Sequence, residues 1–103
     1  MEINLIKTKE ITEFEKEIGI ELYIHERSPY RDRLFRYYVN FKDSDTKQGG
    51  ILGSTYGNGN TIDEAIKEYC EKISNKILIF NPYSKDRKEI EVPILVHTKL
   101  LNK

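Results

Sequence analysis

"GSTYGNGNTIDEAIKEYC", residues 53–70, carries the reading on which the fold turns. Thr61-x-x-Glu64 has the spacing in which two side chains satisfy free backbone N–H groups in the first turn of a helix. Behind it Ile62, Ala65, Ile66, Tyr69, Cys70 and Ile73 recur at steps of three and four, with Ile77 a further step on. Such a stripe predicts an amphipathic α-helix. The glycines ahead of it could cradle a phosphate or merely turn the chain. A Walker loop needs a lysine and four residues between its first glycines, and Gly57-Asn58-Gly59-Asn60-Thr61 has neither. The dinucleotide loop needs a third glycine where Ile62 stands. Asp63 and Glu64 in the first turn would also repel a phosphate. The stretch reads as a tight strand-to-helix turn, built from residues that tolerate positive φ, followed by a capped helix.

Upstream, Ile11, Phe14 and Ile18 share one helical face, with Thr8 or Thr12 as the cap and Gly19 as the stop. Glu13, Glu15 and Glu17 read as the solvated side of that helix. "IELYIHER", residues 20–27, alternates: Ile20, Leu22 and Ile24 face one way, Glu21, Tyr23, His25 and Arg27 the other. "RLFRYYVNFK", residues 33–42, alternates again, with Phe35, Tyr37, Val39 and Phe41 toward the core and Leu34, Arg36, Tyr38, Asn40 and Lys42 opposite. "SPYRD" between them is a turn, "DSDTKQGG" a polar loop, and "ILGSTY" a third strand weakened by Gly53. These three strands predict an antiparallel meander. Downstream, "KILIF" reads as a buried strand, "NPYSKDR" as a turn, and "EIEVPIL" as an edge strand because Pro93 cannot donate to a ladder. "HTKLLNK" is left without assignment. The expected architecture is α+β in the order α-β-β-β-α-β-β. Two helices pack on one face of an antiparallel sheet, and the C-terminal strands extend an edge. Residues 1–103 are expected to form a single domain.

Composition narrows the function classes. A chain of 103 residues buries roughly two-thirds of its unfolded surface, enough for a core without disulfides or metal. Its longest apolar run, Ile77–Phe80, is far too short to span a membrane, and no secretion signal is legible at the N-terminus. The single Cys70 cannot pair internally and fits a reducing, cytoplasmic setting. Net charge is zero, which argues against a generic polyanion binder. The charge is unevenly placed, however. Residues 1–26 carry seven acids and three bases, a net −4, whereas residues 27–50 carry six bases and three acids, a net +3. Four of the five arginines, Arg27, Arg31, Arg33 and Arg36, fall within ten residues.

No constellation dictates a reaction. His25 and His97, the two histidines, have no cysteine or second histidine at ligand spacing. Cys70 lies on the apolar stripe and reads as a small core residue. Asp43, Asp45 and Asp63 do not form a metal loop. The expectation is a protein without catalytic activity, cofactor or metal. The arginine cluster is the candidate site: with the first two strands paired, Tyr23, His25, Arg27, Arg36, Tyr38 and Lys42 share the face opposite the helices. Arg27, Tyr30, Arg31, Arg33, Arg36 and Tyr38 are then the expected partner-binding residues, because arginine mixed with exposed aromatics anchors protein interfaces and also stacks bases.

Three resemblances add to this. The order helix, meander, helix over residues 8–75, with Gly57-x-Gly59-x-Thr61 at the second helix, is similar to the double-stranded-RNA-binding domain. That family's helix opens with phosphate-gripping lysines, where this chain has Ile62-Asp63-Glu64-Ala65. "YYVNF…GNGNTIDEAIKEY" resembles the small HicB-type antitoxins, without their Pro-Gly loop and with no helix-turn-helix following. The whole chain, rich in Ile, Lys, Asn and Tyr, also resembles short accessory proteins of low-GC bacterial phages, many of which bind host or defence proteins, CRISPR effectors included. The arginine cluster in a neutral chain and the last of these resemblances point to a non-enzymatic binder that occludes the surface of a host protein or nucleoprotein complex. An RNA-binding or HicB-like antitoxin domain is the alternative. Direct contact with nucleic acid and homodimerisation are both left open, and no membrane is involved.

Overall fold

Periodicity, capping and turn residues place two helices and nine short strands in the computed structural model, which describes residues 8–27 and 35–98. In chain order they are β1 (Thr8–Glu10), α1 (Ile11–Ile18), β2 (Leu22–Glu26), β3 (Tyr37–Phe41), β4 (Ser44–Gln48), β5 (Ile51–Gly53) and β6 (Gly57–Gly59). Then follow α2 (Ile62–Ile73), β7 (Ile77–Phe80), β8 (Lys88–Glu91) and β9 (Ile94–Val96). The chain is α+β and its sheets are mainly antiparallel, as expected. The strands are more numerous and differently paired.

The long ribbon of the fold is a bent hairpin. β3 pairs with β2 on one side and β6 on the other, while β4 pairs with β5 and β7. β3 and β4 are successive halves of one arm, broken at Lys42–Asp43, where Asp43 takes a positive φ of 55°. The other arm is β5 and β6. Gly49 and Gly50, both at positive φ, close β4 on β5 as a two-residue turn. Two corrections follow. "DSDTKQGG" is not a loop: residues 44–48 form an inner strand whose Thr46 is buried opposite Leu78. "ILGSTY" does not complete the first meander; that place belongs to β6, which pairs Val39 with Gly57 and Tyr37 with Gly59.

Gly57 and Gly59 have a different task from the one expected of them. Neither has a positive φ. A Cβ on Gly57 would stand 2.2 Å from the Ala65 carbonyl, and one on Gly59 2.4 Å from the Ala65 amide. Both glycines let the β6 backbone lie directly on α2. Thr61 caps that helix, its hydroxyl accepting from the Glu64 amide at 3.1 Å. The buried stripe is the expected one: Ile62, Ala65, Ile66, Tyr69, Cys70 and Ile73.

α1 begins later than Thr8 allows. Glu10 is its N-cap, and Thr8 belongs to β1, which pairs in parallel with β9. Thr12 makes no capping box, because Glu15 instead accepts the Leu22 amide at 2.8 Å on the outer edge of β2. Glu17 pairs with Lys9. The acidic face is therefore partly spoken for. Gly19 ends the helix in the left-handed region at φ 70°.

Ile11 and Phe14 of α1 join the α2 stripe, Val39, Phe41, Leu78, Phe80, Val92 and Leu95 in one core. Phe41 sits at its centre, with the rings of Phe14, Tyr69 and Phe80 about 6 Å away (6.0, 5.8 and 6.0 Å). "EIEVPIL" splits at Val92–Pro93. β8 pairs with β7, while β9 leaves that sheet for β1, and the Val92 amide and carbonyl bond Lys76 and Asn75 at the end of α2. Phe35, expected in the core, is 48% exposed because strand pairing begins only at Tyr37.

Candidate binding face

The register of β2 on β3 pairs Tyr23 with Asn40, His25 with Tyr38, and Ile24 with Val39. Alternation sends Val39 inward to the helices and the Tyr23, His25 and Tyr38 side chains outward. The outward rings stack on one another. Tyr23 and His25 lie 4.5 Å apart between centroids at 23°, His25 and Tyr38 4.4 Å apart at 6°. Tyr56, just before β6, meets Tyr38 edge-on at 5.6 Å. Asn40 fixes the row from the side, its Oδ1 lying 3.1 Å from His25 Nε2.

Arg27 closes one end. Its guanidinium lies 4.5 Å from the Tyr38 ring centre, donates to the Phe35 carbonyl, and reaches Asn58 Oδ1 at 3.2 Å. A cation over an aromatic face is held by the ring quadrupole as well as by these bonds. Asn58, on β6, passes the connection to α2 through Glu68, which accepts both its amide (3.1 Å) and its side-chain nitrogen (3.4 Å). Glu68 pairs with Lys72 at 2.9 Å, and Lys72 donates to the Tyr56 carbonyl at 2.9 Å. The bond from Lys72, joined by those from Asn58 and opposed by burial, holds the Glu68 carboxyl below its usual range. The face is thus tied through polar contacts to the helix behind it.

Of the six expected partner-binding residues, the fold brings Arg27 and Tyr38 together in this row. Arg36 departs from it. Its guanidinium pairs with Glu26 (2.7 and 2.8 Å) and lies 5.2 Å from the Tyr37 ring. Arg36 precedes β3 at a bend, so strand alternation does not bind its direction. Tyr30, Arg31 and Arg33, with the turn that carries them, lie outside the described residues. Lys42 follows the end of β3 and lines a depression with Gly19–Tyr23.

No known protein family, curated protein or solved structure matches this chain.

Tyr56 and Asn58 were missed by sequence reading, because they belong to the stretch assigned to a third strand and a turn. Their signal was the alternation Tyr56-Gly57-Asn58-Gly59, which sends two larger side chains to one face and two hydrogens to the other. Cys70 is buried, and burial first, with the nearby Glu10 charge second, pushes its thiol up to about 12. Among the described residues no group of His, Cys, Asp and Glu is arranged to hold a metal ion, and no helix is long and apolar enough to cross a membrane.

Proposed function

We propose that the protein is a non-enzymatic binder that occludes a protein surface through the Tyr23–His25–Tyr38–Tyr56 face. The observation that carries this reading is how the rings are disposed. A base-stacking platform needs broad ring faces open to a nucleobase. In this row the facing sides of Tyr23, His25 and Tyr38 are turned on each other, and Arg27 lies over Tyr38. What remains for a partner is the outer side of Tyr23, ring edges, hydroxyls and the side-chain amide of Asn40. That is the mixed apolar and hydrogen-bonding chemistry of a protein interface, and its side chains lose little freedom on binding. Zero net charge and the internal pairing of Arg36 with Glu26 point the same way. The finer reading, inhibition of a host or defence component such as a CRISPR effector, rests on the resemblance to small phage accessory proteins.

The rival, contact with single-stranded nucleic acid, is favoured by the outer side of Tyr23, which is 48% exposed. Tagged protein is passed through a low-GC bacterial lysate with and without nuclease, with Tyr23→Ala and Tyr56→Ala in parallel. Expected is a discrete retained protein that survives nuclease and is weakened in each variant by about 2 kcal/mol or more, with thermal stability close to that of the parent. Retention that disappears with nuclease, and affinity for an oligonucleotide that falls steeply with salt, would give the site to nucleic acid instead.

A further inference from the structure

Two carboxylates from distant parts of the chain face one buried imidazole. His97 follows β9, its side chain 1% exposed, with Nε2 2.8 Å from Asp63 Oδ1 in the first turn of α2. Its Nδ1 stands 3.4 Å from Glu10 Oε1, at the junction of β1 and α1. The other Glu10 oxygen accepts from the Thr98 amide at 2.8 Å and the Thr98 hydroxyl at 2.6 Å. Glu10 Oε1 and His97 Nδ1 are both buried without a hydrogen bond, as is the Thr12 hydroxyl in the first turn of α1. Buried polar atoms are nearly always paired, and these two unpaired ones confront each other.

A neutral imidazole has one N–H and one lone pair. With the proton on Nε2, Asp63 is served and the Nδ1 lone pair is pressed toward the Glu10 oxygen. With the proton on Nδ1, the lone pair meets Asp63 at 2.8 Å instead. Only a ring bearing both protons donates to both carboxylates. Glu10 is suited to its half of that arrangement. Burial opposes its ionisation, but the two bonds from Thr98 and the adjacent His97 outweigh it and hold the carboxyl below its usual range. Among the described residues, the titratable groups facing His97 are Glu10 from β1 and Asp63 from α2, and the neutral thiol of Cys70 senses the Glu10 charge.

We propose that Glu10, His97 and Asp63 form a proton-dependent latch that fastens β1 and β9, and α1 with them, to α2. The latch is closed while His97 carries protons on both nitrogens and loosens when one is lost. The β1–β9 pair spans only three residues, too few to hold by ladder bonds alone, and α1 follows β1 without a linker. Loosening it releases the segment that delivers Ile11 and Phe14 to the core.

NMR of the His97 ring nitrogens in the full chain reads the proton count directly, with hydrogen exchange at the β1 and β9 amides followed as pH rises. Expected in the closed state are two protonated ring nitrogens. Protection at β1 and β9, relative to α2, then falls about tenfold or more as the ring loses a proton. A singly protonated ring in the closed state, including one that receives a proton from a Glu10 carboxylic acid, overturns the latch. Glu10→Gln tests it from the other side. On a doubly protonated ring it removes the counter-charge and lowers protection at β1 and β9. On a neutral ring the new amide donates to Nδ1, so unchanged or increased protection overturns the proposal.

Discussion

At the scale of single residues, two kinds of tight packing make opposite demands on chemistry. Gly57 lies so close to α2 that even one methyl meets the Ala65 carbonyl, whereas a Cβ on Gly53 meets nothing within 4 Å. Gly57→Ala should therefore cost about 1–3 kcal/mol or more from overpacking, and Gly53→Ala should be close to neutral. Urea unfolding checks both, with a lowered midpoint and unchanged slope expected for the first alone. Cys70 shows the other demand. Burial and the Glu10 charge keep its thiol protonated to about 12, and the thiolate is the reactive form. Alkylation of the native protein in mildly alkaline buffer should be slow and should speed up in proportion to the unfolded fraction as urea is added. Fast labelling without urea would mean that the helix stripe opens locally.

At the scale of elements, α2 is legible almost in full from its own residues. Its cap, its first-turn acids and its stripe lie within a dozen or so consecutive positions, so local spacing carries them. Thr61→Ala removes the hydroxyl that accepts from Glu64 and should cost about 1 kcal/mol, measurable as a lowered thermal midpoint; Thr61→Ser should restore most of it. β4 was illegible for the opposite reason. Ser44, Asp45, Thr46 and Lys47 have no apolar alternation, and they form a strand because β5 and β7 flank them with backbone partners. The Gly49–Gly50 dipeptide was the visible clue, being the residue pair that a two-residue hairpin demands. β8 and β9 were read as one strand because alternation runs through Pro93. That proline sits where the chain leaves one partner for another.

At the scale of the whole molecule, carboxylates tie the distant segments together. Glu10 links the ends of the described chain through Thr98 and His97, and Glu68 links α2 to β6 through Asn58. Both carboxyls are held below their usual value of 4.5, so the sign is fixed. The stability they contribute is fully present above that value and is lost as pH falls through the lowered, folded-state values. Urea midpoints taken from about pH 5 to about pH 2 should fall, and less steeply in Glu68→Gln. A flat profile would mean these contacts do not persist in solution.

The sequence by itself determined the α+β class, both helices and their buried faces, the β2–β3 hairpin, and the outward direction of Tyr23, His25 and Tyr38. Each of these rests on periodicity, capping or turn chemistry within a few neighbouring residues. Tertiary structure decided which strand lies beside which, why Gly57 and Gly59 must lack side chains, that Arg36 turns to Glu26 while Arg27 closes the aromatic row, and that His97 meets Glu10 and Asp63. The Arg36–Glu26 and His97–Glu10 approaches join groups 10 and 87 positions apart. No local pattern records such an approach, because its free energy exists only once the chain has closed around it.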